Sequence, residues 1–136
     1  MKKYLKFFLL LVAVAGAFGY YTYHKPHQNM NNATTQIKLS ATQLFSDYQV
    51  DETTANEKYL DKVMEISGKI KEVSTDEKGM TTLTLESGDD MFGIICQMDN
   101  LTKHNQTNFT EGEKINLKGI CTGVLMDVVL VRCVKV

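Results

Sequence analysis

The sequence predicts a mainly β domain of five strands that follows an N-terminal apolar helix. Two observations predict it: an uncharged apolar run close to the start of the chain, and a hydrophobic period of two from about residue 63 to the end. Polar turn residues divide that second region into five runs of strand length. About one hundred residues remain after the apolar segment and its polar continuation, which is the size of one domain.

The N-terminal segment combines a basic start with an apolar run, Phe7–Tyr21, that contains no charge. This pattern is typical of an export signal. The run is shorter than the roughly 20 residues of a membrane span, and Ala15-Gly16-Ala17 resembles a cleavage site, so cleavage and secretion stay one alternative. The three tyrosines in Tyr20–Tyr23 could lengthen the span as an interfacial belt. We therefore expect a retained single-pass anchor in the cytoplasmic membrane, with the C-terminal domain extracytoplasmic, or periplasmic.

Charge is distributed unevenly along the chain. Three of the fifteen basic residues precede the apolar run, so twelve basic and sixteen acidic residues follow it, and the net charge of the exported part is −4. That balance disfavours binding to the phosphates of a nucleic acid. Residues 24–36 hold the only proline and almost no apolar side chains, which predicts a polar tether. The expected organisation is an anchor at 1–23, the tether at 24–36 and one domain at 37–136.

Two short helices are predicted at the start of the domain. Ser40 and Gln43 have the spacing of a capping box, with Leu39 and Leu44 as its hydrophobic staple. Asp51 can cap the second helix. Each helix has apolar residues on one face, in the first Ala41, Leu44, Phe45 and Tyr48, and in the second Ala55 and Tyr59.

The remaining chain alternates apolar and polar residues in five candidate strands. They are Val63–Val73, Met80–Leu85, Met91–Met98, Lys114–Thr122 and Asp127–Val136. The alternation breaks near Lys71, where a bulge would bend the first strand. A longer polar connection, Asp99–Gly112, follows the third strand. Five strands with these connections predict a five-stranded OB-like Greek-key barrel, and an SH3-like barrel is the main alternative.

Several segments carry a resemblance to a known family over about residues 37–136. They are Ala41, Leu44 and Tyr48, then Asp51-Glu52, Ala55-Asn56 and Lys58-Tyr59, the strand Ile66–Ile70, and near the end Lys118–Gly123 and Asp127–Leu130; His24–His27 is similar to the segment that follows the family's anchor. By these residues the chain resembles the tRNA anti-like OB-fold family, small exported or membrane-anchored bacterial proteins. The resemblance implies an OB-like fold and export. It supplies no catalytic residues, and the family name does not establish RNA binding.

The sequence contains no recognisable catalytic or metal-binding arrangement. His24 and His27 lie in the tether and His104 in the long connection, so no two histidines share an element with ligand spacing. Asp76-Glu77 and Asp89-Asp90 lack the alternating ligands of a calcium loop and fit turns instead. We expect no enzyme, no metal and no cofactor, with an unrecognised hydrolase as the remaining enzymatic alternative.

The most informative candidate contact surface is the tip between the last two strands. Val124, Leu125, Met126 and Asp127 make it unusually apolar, and in OB folds this loop borders the ligand face. It either packs on the N-terminal helices or contacts a partner or a membrane surface. Lys69 and Lys71 share a strand face and complete the candidate site.

The predicted function is a membrane-anchored extracytoplasmic OB-like binding module for a protein or small ligand. A single-stranded nucleic-acid-binding OB domain is the alternative. It is disfavoured because such domains stack bases on aromatic side chains, whereas the five predicted strands hold only Phe92, which alternation turns inward.

Three cysteines, Cys96, Cys121 and Cys133, lie in the predicted strands. Small buried apolar side chains are the main expectation for all three. If a disulfide forms, the expected register joins Cys121 and Cys133 across the last hairpin and leaves Cys96 free.

Overall fold

The computed structural model describes residues 2–23, 29–100 and 108–136. Its first element is helix α1 (Lys2–Tyr23), which is continuous through the small residues at 15–17. The window Tyr4–Tyr23 has a mean hydropathy of 1.6, and none of it is buried against the rest of the chain. By length and composition α1 can therefore cross a membrane, which makes it a candidate span.

Two further helices and six strands follow α1. They are β1 (Ile37–Ser40), α2 (Ala41–Val50), α3 (Glu52–Tyr59), β2 (Val63–Thr75), β3 (Thr81–Glu86), β4 (Gly93–Met98), β5 (Lys114–Val124) and β6 (Val128–Lys135). The five predicted strands are all present, with ends shifted by a few residues. The protein is mainly β, as expected.

The sheet closes into a five-stranded barrel. The strand order is β2-β3-β4-β6-β5, and β5 pairs back onto β2. All these pairs are antiparallel except β4 with β6. The long strand β2 serves both sides, because residues 63–69 pair with β5 and residues 70–75 with β3. The register shifts between Ile70 and Glu72, which confirms the predicted bulge. The strand order and its closure confirm the OB-type barrel.

Strand β1 is the element that the pattern did not predict. Its four residues pair in parallel with Met64–Ser67 at the edge of the sheet. Ile37 and Leu39 are partly buried against the core. The segment was missed because two apolar residues are too few to define a period, and because Ser40, the last residue of the strand, is also the N-cap of α2.

Both helices begin at the predicted caps. The Ser40 hydroxyl accepts the backbone N–H of Gln43 at 3.1 Å, and the Asp51 carboxylate accepts the N–H groups of Thr53 and Thr54. The Gln43 side chain, however, donates to Asp47 at 2.7 Å. The predicted apolar faces are all buried: Ala41, Leu44, Phe45, Tyr48, Ala55 and Tyr59.

The main core fills the barrel and continues under α2 and α3. Residues from Ala41 to Cys133 form one buried cluster. None of the described side chains of α1, in residues 4–23, belongs to this cluster.

The described end of the predicted tether packs against the barrel. We call residues 29–35 the strap. Met30 is 0% exposed and lies in a small cluster with Ala33, Val134, Val63 and Ile120. The Lys118 ammonium is buried there and donates to the carbonyls of Asn31 and Ala33, each at 3.0 Å. The sequence predicted a tether here because the composition is polar and a single methionine gives no periodic signal. Residues 24–28 of that tether lie outside the described residues.

Candidate functional site

The tip of the β5–β6 hairpin projects two apolar side chains into solvent. Leu125 is 95% exposed and Met126 68%. Val124 is partly buried against the core. Asn56 of α3 and Leu60, which follows α3, lie beside Gly123, before the exposed tip. Leu125 and Met126 are therefore not covered by the N-terminal helices, which was the alternative expected for this tip.

The loop between β3 and β4 lies at the same end of the barrel as the tip. β4 and β6 are parallel neighbours, with Ile94 opposite Val128. The Asp127 carboxylate accepts the backbone N–H of Gly93 at 2.7 Å, which ties the hairpin to the end of this loop. Met91 in the loop is 81% exposed. We call Met91, Leu125 and Met126 together the apolar tip.

The loop that carries Met91 is held by its own side chains. Asp89 accepts the N–H groups of Met91 and Phe92 at 2.7 and 3.0 Å, and Ser87 donates to the Phe92 carbonyl at 2.6 Å. Lys71 donates to the Asp90 carbonyl at 2.7 Å. The predicted contact residue Lys71 thus lies against this loop, and the Asp89 carboxylate has the turn role that the sequence indicated.

Lys69, the other predicted lysine, borders a cleft of about 730 Å³. Two more lysines line the cleft, Lys114 and Lys135, together with hydroxyl and amide groups from Ser40, Thr42, Ser67 and Asn116. Lys69 forms an ion pair with Glu86 at 3.5 Å and Lys135 one with Glu113 at 3.6 Å. The Lys69–Glu86 pair is about half exposed, and exposed pairs are weak, so an anionic group can compete for Lys69. The Lys135–Glu113 pair is more buried, with side chains 32% and 30% exposed.

Sequence reasoning missed Lys114 and Lys135 because the fold, not the chain order, brings them to Lys69. Lys69 lies opposite Lys114 in the β2–β5 ladder, and Lys135 lies opposite Leu117 in the β5–β6 ladder. The alternating polar positions of β5 can be read from the sequence, but the pairing of β5 with β2 and β6 cannot.

A hydrogen-bonded polar cluster joins α2 to α3. The Tyr59 hydroxyl donates to Asp47, and the Lys58 ammonium lies 3.7 Å from the same carboxylate. The Tyr59 hydrogen bond is the main cause that lowers the pKa of Asp47, and burial raises the pKa of Tyr59. Tyr48 donates to Asn56 at 3.1 Å. The cluster fixes the two helices against each other.

The three cysteines are free thiols and fully buried. Cys121 lies 3.4 Å from the Tyr48 hydroxyl, and the thiol of Cys133 interacts with that of Cys96. Burial and this contact raise the pKa of Cys133. The structure thus brings Cys133 to Cys96, whereas the predicted register expected Cys121 as its neighbour.

No group of three metal-binding side chains occurs within residues 2–23, 29–100 and 108–136. Asp76 accepts the N–H groups of Lys78 and Met80 at 2.9 and 2.8 Å, so its carboxylate supports the β2–β3 turn. The three histidines, His24, His27 and His104, lie outside the described residues.

A family model for tRNA anti-like proteins matches residues 1–135. The chain belongs to the tRNA anti-like family. The match spans α1 and the barrel, and it confirms the resemblance seen in the sequence. No curated protein matches this tRNA anti-like chain.

Solved structures share the fold at low identity. The "putative nucleic acid-binding lipoprotein" of Klebsiella pneumoniae subsp. pneumoniae is similar with a TM-score of 0.56 and 16% identity, over 75% of this tRNA anti-like chain and 92% of that one. A "putative aspartyl-tRNA synthetase" of Leishmania major Friedlin matches with a TM-score of 0.45 and 8% identity, over 88% of this chain and 25% of that one. The similarity to the lipoprotein supports the OB-like barrel, and it identifies neither a ligand nor a role for this chain.

Proposed function

We propose that the protein is a membrane-anchored binding module whose barrel, outside the cytoplasmic membrane, binds an acidic group of a protein or small ligand. The cleft between β2, β5 and the start of α2 carries this proposal, because Lys69, Lys114 and Lys135 all line it together with residues that bear hydroxyl groups. Lysine ammonium groups and hydroxyls bind carboxylates and other oxyanions. Val124–Asp127 and Lys71, at another part of the surface, are proposed as further contact residues.

The anchor and its orientation are part of the same proposal. The apolar side chains of α1 are exposed, which a bilayer would cover, and Thr22 bonds back to the carbonyls of Phe18 and Gly19 within the helix, as polar groups do in lipid. The lysines before the apolar run favour a cytoplasmic N-terminus. The fold and family are those of binding modules, which supports a non-enzymatic role.

Single-stranded nucleic acid is a second candidate, favoured by the same lysines and by the name of the Klebsiella lipoprotein. Two features disfavour it. None of the five barrel strands contains an aromatic residue, so the strands offer bases no stacking platform. The exported part also carries a net charge of −4, which opposes a polyanion.

Titration of residues 24–136, which contain the whole described core, separates the two candidates. We expect a glutamate-rich peptide to shift the amide resonances of Lys69, Lys114 and Asn116, and Lys114→Gln to weaken binding. Lys78→Gln, in the distant β2–β3 turn, is the matched control. Fluorescent single-stranded RNA and DNA should not bind at physiological salt. Micromolar, salt-sensitive binding of either nucleic acid would instead establish the second candidate, and no response to the peptide would remove the cleft as the site.

A further inference from the structure

We infer that the apolar tip inserts into the surface of the same bilayer that holds α1. Leu125 and Met126 project from the hairpin, and Met91 projects from the adjoining loop. The inference rests on the membrane-anchored part of the proposed function and gives the apolar tip a lipid partner, while the lysine cleft stays available to a ligand.

Three carboxylates lie next to the apolar tip in the chain, those of Asp89, Asp90 and Asp127. The carboxylate of Asp127 faces the N–H of Gly93, and that of Asp89 faces the N–H groups of Met91 and Phe92. These bonds hold the two loops in place, while the three carboxylates, including that of the exposed Asp90, keep their charge. The opposite end of the barrel differs, because its β2–β3 turn exposes Asp76, Glu77 and Lys78. The tip end therefore suits lipid contact through its exposed apolar side chains, whereas the β2–β3 turn exposes only polar residues and glycine.

The strap keeps the barrel close to the bilayer. Met30 is buried on the barrel and Lys118 holds the neighbouring carbonyls, so only seven residue steps separate Tyr23, the end of α1, from a fixed point on the domain. A chain of that length spans at most about 25 Å. Ile120 packs against the cluster that contains Met30, and five residue steps lead from Ile120 along β5 to Leu125, a distance of at most about 17 Å. The apolar tip is thus within reach of the membrane surface.

Fluorescence of the full chain in vesicles of phosphatidylcholine and phosphatidylglycerol tests the inference. An environment-sensitive probe is attached at Met126→Cys, or at Lys78→Cys as the control; the native thiols are buried and do not compete for labelling. We expect the probe at position 126 to be shielded from aqueous iodide and quenched by nitroxide-labelled lipids. The probe at 78 should show the reverse.

A second variant tests the role of the exposed leucine. With the probe at Met91→Cys, Leu125→Glu should lower the quenching by labelled lipid several-fold, and Lys78→Glu should not change it. Leu125 makes no core contact, so its replacement leaves the fold intact.

Each outcome is decisive. Exposure of position 126 to iodide without lipid quenching overturns the inference, as does shielding without lipid quenching, which would indicate contact with a second copy of the chain. Failure of the chain to float with the vesicles would instead overturn the membrane anchor itself.

Discussion

At the scale of single residues, Asp47 is the titratable group with the clearest link to stability. Its pKa is lowered chiefly by the hydrogen bond from Tyr59, with Gln43 and Lys58 contributing. The ionised carboxylate therefore stabilises the fold above its unfolded pKa of about 3.9. That stabilisation is lost as the pH falls through the lower pKa of the folded state.

Asp47→Asn should reduce the free energy of unfolding by about 1 kcal/mol at pH 7, since part of the side chain is exposed. The difference from wild type should shrink as the pH falls below about 4. Urea denaturation at several pH values measures it. The same substitution in a Tyr59→Phe background should have a smaller effect, and an equal effect would show that Tyr59 does not stabilise the carboxylate.

The cysteines should be chemically silent in the folded domain. All three are fully buried, and burial raises the pKa of Cys133, so little thiolate is available to react. Iodoacetamide should label none before unfolding and all three afterwards. If mild oxidation forms a bond, mass spectrometry should find Cys96 joined to Cys133. A bond between Cys121 and Cys133 would instead support the register predicted from sequence.

At the scale of the elements, one bulge in β6 explains the neighbours of Cys133. Arg132 has φ +56°, and the β5–β6 register shifts between Lys118 and Ile120. The Cys133 sulfur consequently lies over Gly119, only 2.6 Å from where a Cβ would be. A bulge at an arginine has no sequence signal of the kind that glycine gives.

Gly119→Ala should therefore destabilise the domain by about 1 to 3 kcal/mol, because the added methyl overpacks against Cys133. In a Cys133→Ala background the cost should fall, since the sulfur is gone. Thermal or urea unfolding of the four proteins completes the cycle. Equal costs in both backgrounds would show that the backbone carbonyl of Val131, not the sulfur, sets the limit.

The strap should open independently of the barrel. Lys118→Met removes the donor to two strap carbonyls and should speed proteolysis within residues 24–36. The unfolding midpoint of the barrel should change much less. A rate of strap cleavage equal to that of wild type would show that Met30 alone holds the strap.

At the scale of the whole molecule, the sequence sufficed for the barrel but not for the site. A period of two, the Lys71 bulge and the caps at Ser40 and Asp51 are local signals, and all were confirmed. Strand β1 and the docking of Met30 rest on one or two apolar residues, which form no pattern. The lysine cleft depends on pairings between β2, β5 and β6, which local periodicity does not specify.

The proposed binding role depends on α1 holding the barrel outside the cytoplasmic membrane. Proteinase K digestion of intact spheroplasts that carry the full chain with a tag after Val136 tests this most directly, with a cytoplasmic protein as the control. We predict that the tag is lost without lysis while the cytoplasmic control stays intact. Protection of the tag until the cells are lysed would contradict the topology and the extracytoplasmic binding role.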